Sequence, residues 1–319
     1  MKRINGFVEF NELLNVDLET LIERGIVEDF SLNMSKRLVI KIGEKKFVFK
    51  ECSYVEAITE LIVNEMLDIA KRPNIKYDLI HIGDYYGVIS KDFNKKGYKY
   101  YSGEDLFEDY IKKLPKEADN SKDKEFRSFL LEEYERFSAP FRDKKNNLEL
   151  IWQVLEDHFR EYDNKNEIVR KLMQQLCINH ICDMLIYNQD RNSSNWIIEE
   201  SENDANLVPA FDHGETFKKE YFFTGIIVDP INKKKYETPR IYTEVERFLK
   251  RSDKRYYEIF LELKDRLGMD TLKKAIKKVE RKIKEPIKDV TKNEIIATFL
   301  EHQNNLDIVL EKLTQYQGR

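Results

Sequence analysis

Residues 188–195 read NQDRNSSN, and residues 211–214 read FDHG. The first segment places Asp190 five positions before Asn195, and the second places Asp212 directly after an apolar stretch. Phosphoryl transfer needs an oxygen base beside the acceptor hydroxyl and two or more oxygen ligands for Mg²⁺. This order of residues therefore predicts that Asp190 acts as the base and that Asn195 and Asp212 bind the metal ion.

The chain around these two segments favours such a site. Residues 166–187 are apolar nearly all round, which predicts a buried helix leading into the first segment. Residues 196–198 and 207–211 predict a hairpin with the two segments at its ends, so the three oxygen-bearing side chains can converge. The alternative is an ordinary polar turn, since Asn, Asp and Ser are common turn residues. The flanking helix and strand favour the site over the turn.

The N-terminal part of the chain predicts a small sheet with one helix. Residues 37–42 and 46–50 predict two strands, and the intervening Gly43-Glu44 is a hairpin signal. Residues 55–71 show helical apolar spacing, and two further strands are predicted near residues 77–82 and 86–90.

Lys50 ends the second of these strands, where its ammonium would face the phosphates of a nucleotide. A carboxylate on the following helix would hold that ammonium in place, and Glu60 and Glu65 are the candidates. They lie five residues apart, so they do not share a helix face and only one can serve. Our choice is Glu60. The alternative is a surface lysine with two solvated glutamates.

The expected phosphate-binding loop has an unusual composition. Kinases usually carry a glycine-rich loop before the first hairpin, but residues 31–37 contain no glycine. Ser35, Lys36 and the backbone N–H groups of this segment are the candidate phosphate contacts.

The composition restricts the classes to which the protein can belong. Of its 319 residues, 41% are hydrophobic and 36% are charged, which suits a folded, helix-rich protein. The formal charge of −4 provides no overall attraction to nucleic acid or to an anionic membrane. Three cysteines, the lack of an apolar N-terminal segment and the lack of a run of about 18 apolar residues favour a cytoplasmic protein. We therefore expect neither a signal peptide nor a membrane span.

These patterns predict an α+β fold with two lobes. Residues 1–93 would form a lobe with a small antiparallel sheet, one helix and the phosphate-binding lysine, and residues 94–319 a larger, mostly helical lobe. A short amphipathic helix is predicted over residues 9–24, and residues 113–123 are polar enough to predict an exposed loop. Residues 214–240 also predict loop structure.

The two polar segments and their surroundings resemble a known family. NQDRNSSNWII and LVPAFDHG resemble the HipA-like protein kinases and, more distantly, the phosphatidylinositol kinases, which carry an Asp-Arg-His-x-x-Asn loop and a later Asp-x-Gly. FVFK with Lys50, TELIVNEML with Glu60 and GVISKDF at residues 87–93 extend the resemblance. The length and motif order are similar to those of the compact, cell-translocating type within this family.

The resemblance implies a bilobal protein-kinase-like fold that uses ATP and Mg²⁺ and has a protein Ser or Thr as acceptor. In this chain it implies that Lys50 contacts the ATP phosphates and that Glu60 pairs with it. The hinge whose backbone would bind adenine consists of Ser90, Lys91, Asp92 and Phe93.

The same resemblance assigns roles in the two polar segments. Asp190 would be the catalytic base, Arg191 would fix the loop, and Asn195 and Asp212 would hold the metal ion. One departure is Asn192, which stands where the family has histidine. The other is the missing glycine-rich loop.

Acceptor, partner and regulation stay open at this point. A kinase for a small molecule or a lipid headgroup, and a non-catalytic nucleotide-binding module, are the alternatives to a protein kinase, since fold analogy does not select the acceptor. A partner antitoxin or inhibitor is also left open. We further predict autophosphorylation, with Ser31, Ser35 and Thr224 as candidate sites in loops near the expected site.

Overall fold

The structure is a computed structural model. It describes residues 2–4, 7–9, 18–29, 37–42, 44–82, 85–120, 122, 124, 125, 127, 128, 130–132, 148–218, 224–228 and 235–317. The chain divides into two compact units. The first unit consists of Met1–Asp92, Ile181–Asp190 and Asp212–Arg319, and the second of Phe93–His180 and Arg191–Phe211. The division into lobes at residues 1–93 and 94–319 stays a prediction.

A seven-stranded sheet in the first unit has the strand order β1-β2-β6-β7-β5-β4-β3. Its strands are β1 (Lys2–Ile4), β2 (Phe7–Glu9), β3 (Val27–Asp29), β4 (Arg37–Ile42), β5 (Lys45–Glu51), β6 (Tyr77–Ile82) and β7 (Tyr85–Lys91). Every neighbouring pair is antiparallel except β2 and β6. Strand β5 lies between β4 and β7, so the sheet holds its backbone on both sides.

Helices account for most of the remaining described residues. They are α1 (Leu18–Glu23), α2 (Tyr54–Ile69), α3 (Gly103–Asn120), α4 (Leu148–His158), α5 (Lys165–Ile186), α6 (Arg240–Arg251), α7 (Lys254–Arg266), α8 (Met269–Ile283) and α9 (Asp289–Gln317). Helix α5 begins in the second unit and ends in the first. None of the helices in these ranges has the length and apolarity that a membrane crossing requires.

Local sequence explains the strand and helix that carry Lys50 and Glu60. In β5, Phe49 is fully buried, and the two residues beside it are only partly exposed. Helix α2 begins with a capping box, in which the Ser53 hydroxyl accepts the Glu56 N–H and the Glu56 carboxylate accepts the Ser53 N–H. Residues 57–64 are all buried, because α2 contacts β6, β7 and α8.

The second unit combines helices with a three-stranded antiparallel sheet. Its strands are β8 (Lys99–Ser102), β9 (Ile197–Glu200) and β10 (Ala205–Leu207), in the order β10-β9-β8. Apolar side chains from α3, α4, α5 and β9 form its core, among them Leu106, Phe107, Leu150, Val154, Leu172, Leu176 and Ile198. Helix α3 begins beside the Trp196 ring at Gly103, where a Cβ atom would lie 2.2 Å from that ring.

The predicted α+β class, with an N-terminal sheet and helix and a mostly helical remainder, is confirmed. The strands predicted at residues 37–42 and 77–82 have those bounds. A hairpin is present before Asp212 as β9 and β10, but its second strand covers residues 205–207 rather than the predicted 207–211.

Three local predictions are wrong. Of the helix expected over residues 9–24, the described part is helical at Leu18–Glu23, whereas Glu9 ends a strand that pairs with β1 and β6; residues 10–17 lie outside the described residues. The loop expected at residues 113–123 is helical as far as Asn120, because Leu114 and Ala118 are buried on either side of Pro115. The stretch 214–240 contains a hairpin of β11 (Thr224–Val228) and β12 (Lys235–Pro239). Strand pairing and burial, which local composition does not show, explain all three.

Candidate phosphoryl-transfer site

Three elements of the first unit meet at the side chain of Lys50. Its ammonium lies 3.2 Å from Glu60 Oε1 on α2 and donates a hydrogen bond to Asp212 Oδ1. The second oxygen of Glu60 accepts the backbone N–H of His213 at 2.9 Å. One buried carboxylate therefore joins the strand, the helix and the Asp-x-Gly segment.

Burial and charge act in opposite directions on this network. Burial alone would lower the pKa of the Lys50 ammonium, but the carboxylates of Glu60 and Asp212 raise that pKa above its usual value. Burial raises the pKa of Glu60 against the opposing effect of Lys50. Since both oxygens of Glu60 accept hydrogen bonds from N–H donors, we assign this carboxyl group as ionised.

Helix rotation separates the two glutamates that the sequence offered as partners for Lys50. Glu60 contacts Lys50, whereas Glu65 lies 3.3 Å from the Lys278 ammonium of α8. Two lysines of α8 thus have acidic partners within their own unit, since Lys282 likewise lies 3.0 Å from Asp78.

Asp212 lies at a sharp change of backbone direction. Its φ of 61° is in the left-handed region, which Asp and Asn enter more readily than most residues. Gly214, two residues later, packs against the Lys50–Glu60 pair, since a Cβ atom there would lie 3.6 Å from both Glu60 Oε1 and Lys50 Nζ.

The loop with Asp190 is shaped by the end of α5. Tyr187 leaves the helix with a φ of 65°, and Asn188 then folds back onto Asp183. The Asn188 backbone N–H donates to the Asp183 carbonyl, and its side-chain amide donates to the Asp183 carboxylate, both at 2.9 Å. Asn188 Oδ1 in turn accepts the Asp190 N–H at 3.2 Å. Asp190 itself is exposed.

A buried neutral network supports the same end of α5. His302 of α9 donates from Nε2 to the Met184 carbonyl at 2.8 Å and accepts from the Tyr242 hydroxyl at 3.1 Å. Complete burial lowers the pKa of His302 to about 3, so the ring is neutral. The Tyr187 ring packs against it at 4.6 Å. Carbonyls of a last helical turn lack partners in the helix, and α9 supplies one here.

Arg191 and Asn195 lie in the second unit. The Arg191 guanidinium donates to the carbonyls of Asn195 and Phe211, each at 2.7 Å, so it ties the loop to the residue before Asp212. Asn192 caps the 3₁₀ helix Ser193–Asn195 by accepting the Ser194 N–H at 2.9 Å. The Asn192 side chain therefore shapes the loop.

The structure brings together only part of the predicted constellation. Lys50, Glu60 and Asp212 contact one another, and Asp190 belongs to the same unit. Asn195 is buried in the other unit, and its convergence with Asp212 on one metal ion stays a prediction.

The residues predicted to contact the nucleotide differ in burial and in hydrogen bonding. Ser90 is buried, and Lys91 is exposed at the end of β7, opposite Phe47 in the register. The Asp92 N–H donates to the Lys46 carbonyl at 3.0 Å, and the Phe93 carbonyl accepts the Tyr100 hydroxyl at 3.4 Å. Their role as an adenine-binding hinge stays a prediction. Ser35 and Lys36, together with Ser31, lie outside the described residues.

Sequence reasoning missed three charged residues beside the site. Lys218 lies 2.6 Å from Glu215 and 3.4 Å from Glu56 of α2. Burial acts to raise the pKa of Glu56, but hydrogen bonds from Ser53 and the charge of Lys218 lower it overall. Burial raises the pKa of Glu215, and the adjacent Glu56 adds to that effect. Only the Ser53–Glu56 capping box was visible in the sequence as a signal.

Solved structures provide the comparison for this arrangement. The Helicobacter pylori proinflammatory kinase CtkA matches with a TM-score of 0.56 at 14% identity, over 88% of this chain and 95% of that one. The chain has a HipA-like kinase fold. HipA of Shewanella oneidensis, from a structure of the toxin–antitoxin system HipA, HipB and its operator DNA, matches with a TM-score of 0.53 at 13% identity, over 95% of this chain and 75% of that one. No protein-family model and no curated protein matches the sequence.

The donor set in this HipA-like fold suits a nucleotide with a divalent cation. Lys50 and Asp212 keep 16% and 17% of their side chains exposed, whereas Glu60 is completely buried. The two partly open groups are an ammonium, which binds phosphate, and a carboxylate, which is a ligand for Mg²⁺. The closed group holds the ammonium and has no open surface of its own.

Proposed function

We propose that the protein is an ATP- and Mg²⁺-dependent Ser/Thr protein kinase that also phosphorylates itself. The observation that carries this proposal is the contact of Lys50 with buried Glu60 and with Asp212. In kinases, a strand lysine paired with a helix glutamate, and a metal-binding Asp in place, are both required for activity. The HipA-like kinase fold supports the same reading.

Each residue then has a defined task. Lys50 holds a phosphate oxygen, and Glu60 keeps the ammonium aimed at it. Asp212 and Asn195 hold Mg²⁺, which when bound with ATP offsets the charge that develops on the transferred phosphoryl group. Asp190 accepts the proton of the Ser or Thr hydroxyl. Arg191 keeps the loop in shape through the carbonyls of Asn195 and Phe211.

Phosphoryl transfer from labelled ATP tests the proposal. The wild type is incubated with Mg²⁺ and myelin basic protein as a general acceptor, beside Asp190→Ala and Asp212→Ala. We expect label on the acceptor with the wild type and a loss of about 10²–10⁴-fold with Asp190→Ala. Asp253→Ala is the matched control, since this exposed carboxylate makes no capping hydrogen bond at α7.

The outcomes separate the alternatives. Equal transfer by all variants would show that the label has another source. ATP consumption on a panel of small hydroxylated metabolites or lipid headgroups, far faster than on protein, would assign a different acceptor. ATP binding by thermal shift without turnover on any acceptor would indicate a binding module.

Self-modification has a separate test. Thr224, one candidate, begins strand β11 rather than lying in a loop, and Ser31 and Ser35 lie outside the described residues. Mass spectrometry of the wild type and of Asp190→Asn after incubation with ATP should show phosphate on the wild type alone. An unmodified wild type would remove autophosphorylation from the proposal.

A further inference from the structure

Lys218 links two elements that carry groups of the candidate site. Its ammonium lies between Glu215, in the segment after Asp212, and Glu56, in the first turn of α2. All three side chains are partly buried, with 25–31% of their surface exposed. We call these three residues the latch.

The latch lies one helical turn from the Lys50–Glu60 pair. Glu56 and Glu60 are four residues apart on α2 and therefore share a face. Gly214 fills the space beside both, since a Cβ atom there would lie 3.5 Å from Glu56 Cβ and 3.6 Å from Glu60 Oε1. The segment 212–218 thus lies along α2, held by the His213 N–H at one end and by Lys218 at the other.

The other side of this segment contacts the loop that leads to Asp190. Thr216 forms an isolated β-bridge with Asn188, and the Gln189 side-chain amide lies 3.5 Å from the Lys218 carbonyl. These contacts and those to α2 belong to one compact unit. A shift of residues 212–218 would therefore disturb Glu60 and Asp190 together.

The charge of Lys218 is what makes this arrangement hold. Glu215 and Glu56 lie 2.6 Å and 3.4 Å from the same ammonium, so the two carboxylates are close to each other. Like charges at that separation repel, and the lysine ammonium placed between them converts the repulsion into attraction. Without the cation, the two carboxylates would push the segment away from α2.

We propose that Lys218 is a positioning residue, which latches residues 212–218 onto α2 and so keeps Glu60 and Asp212 in place. The proposal rests on the kinase function proposed above. That proposal gives Lys218 no contact with the nucleotide or the acceptor. Its effect is therefore on the rate of phosphoryl transfer rather than on nucleotide affinity.

The test compares Lys218→Met, which removes the charge, with Lys218→Arg, which restores it. With Mg²⁺-ATP and myelin basic protein, we expect kcat to fall about tenfold for Lys218→Met, while the KM for ATP changes less than about twofold. Lys218→Arg should recover most of the rate. The control is Lys264→Met, because Lys264 makes an ion pair of similar length with Asp307 between α7 and α9, two helices that carry none of the predicted site residues.

A second variant keeps the test decisive if Lys218→Met folds poorly. Adding Glu215→Gln to Lys218→Met removes the repulsion as well as the cation, and should recover part of the lost rate. Glu215→Gln alone should stay close to the wild type, since the amide oxygen still accepts from Lys218.

Amide hydrogen exchange provides a readout that needs no activity. Peptides covering residues 54–60 and 212–218 should exchange faster in Lys218→Met than in the wild type or in Lys264→Met. A wild type that transfers no phosphate but shows this local change would leave the latch standing and overturn the kinase proposal. The latch would be overturned if Lys218→Met kept the kcat and the amide hydrogen exchange of the wild type. It would also be overturned if Lys218→Arg transferred phosphate as slowly as Lys218→Met.

Discussion

Two polar networks support the segments that carry Asp190 and Asp212, and they are of opposite kinds. Around Lys50, three charged groups meet, and two of them keep part of their surface exposed. Around His302, only neutral groups meet, and the imidazole and the Tyr242 hydroxyl are buried. In the charged network, a bound ligand can take the place of an ion-pair partner of Lys50 or Asp212, so this network suits a reaction site. In the neutral network, both ring nitrogens of His302 and the Tyr242 hydroxyl have hydrogen-bond partners within the protein, so this network suits a fixed scaffold.

The largest expected effect separates Glu60 from Glu65 on the same helix. Glu60→Ala leaves the Lys50 ammonium and the His213 N–H without their buried acceptor, and should lower the free energy of unfolding by about 3–5 kcal/mol. Glu65→Ala, which breaks only the pair with Lys278, should cost less than about 1 kcal/mol. Urea unfolding of both variants measures the difference. Equal losses would remove Glu60 from the centre of the charged network.

The neutral network predicts a loss of stability in acid. His302 has a folded-state pKa of about 3 against 6.5 in the unfolded chain, so between these values only the unfolded chain binds the proton. Its contribution is complete above pH 6.5 and decreases as the pH falls towards 3, by about 2 kcal/mol between pH 7 and pH 5.

Urea unfolding at the two pH values, with His302→Gln beside the wild type, isolates this contribution. The amide keeps a donor and an acceptor but does not titrate, so the variant should lose less stability in acid. The same loss in both proteins would mean that His302 is not held neutral.

A close backbone contact behind Lys50 predicts the next effect. A Cβ atom on Gly87 would lie 2.1 Å from the Lys50 carbonyl and 2.8 Å from the Phe49 ring. Gly87→Ala should therefore destabilise by about 1–3 kcal/mol and displace the strand that carries the ammonium. Gly214→Ala is the control, because its nearest neighbours lie at ordinary contact distances of 3.5–3.6 Å. Thermal unfolding that ranks the two the other way round would contradict the contact.

The smallest effect concerns charge pairs outside both networks. Lys278 is 48% exposed, and Lys278→Met removes only its pair with Glu65. We expect a change below about 1 kcal/mol in the free energy of unfolding, which should shrink further at 1 M salt. Unfolding curves at low and high salt check this. A larger, salt-independent loss would place Lys278 in a buried network.

Local patterns predicted the elements that carry the site. The alternation of residues around Phe49 and the apolar spacing of residues 55–71 led to β5 and α2, because these periods reflect burial on one face. The apolar helix before Asp190 was equally visible, as α5. Local patterns failed where distant packing decides. Leu114 and Ala118 keep a polar stretch helical across Pro115, and pairing with β1 and β6 makes residues 7–9 a strand.

The candidate site divides in the same way. The types of Lys50, Glu60, Asp190, Asn195 and Asp212 were readable from their motifs. Lys218 and Glu215 were not, because a lysine three residues after a glutamate outside a helix is a common surface pattern. What distinguishes them is the contact of Lys218 with Glu56, a residue that no local sequence rule connects with either.

By itself, the sequence determined the chemical groups available and the short elements that present them, because hydrophobic period and turn preference act over a few residues. Only the tertiary structure decided which charges meet. The Lys50–Asp212 and Lys218–Glu56 pairs each join residues 162 positions apart. At such separations many partners are equally accessible to an unfolded chain, and the choice is made by the packing of α2, β5 and residues 212–218 into one unit.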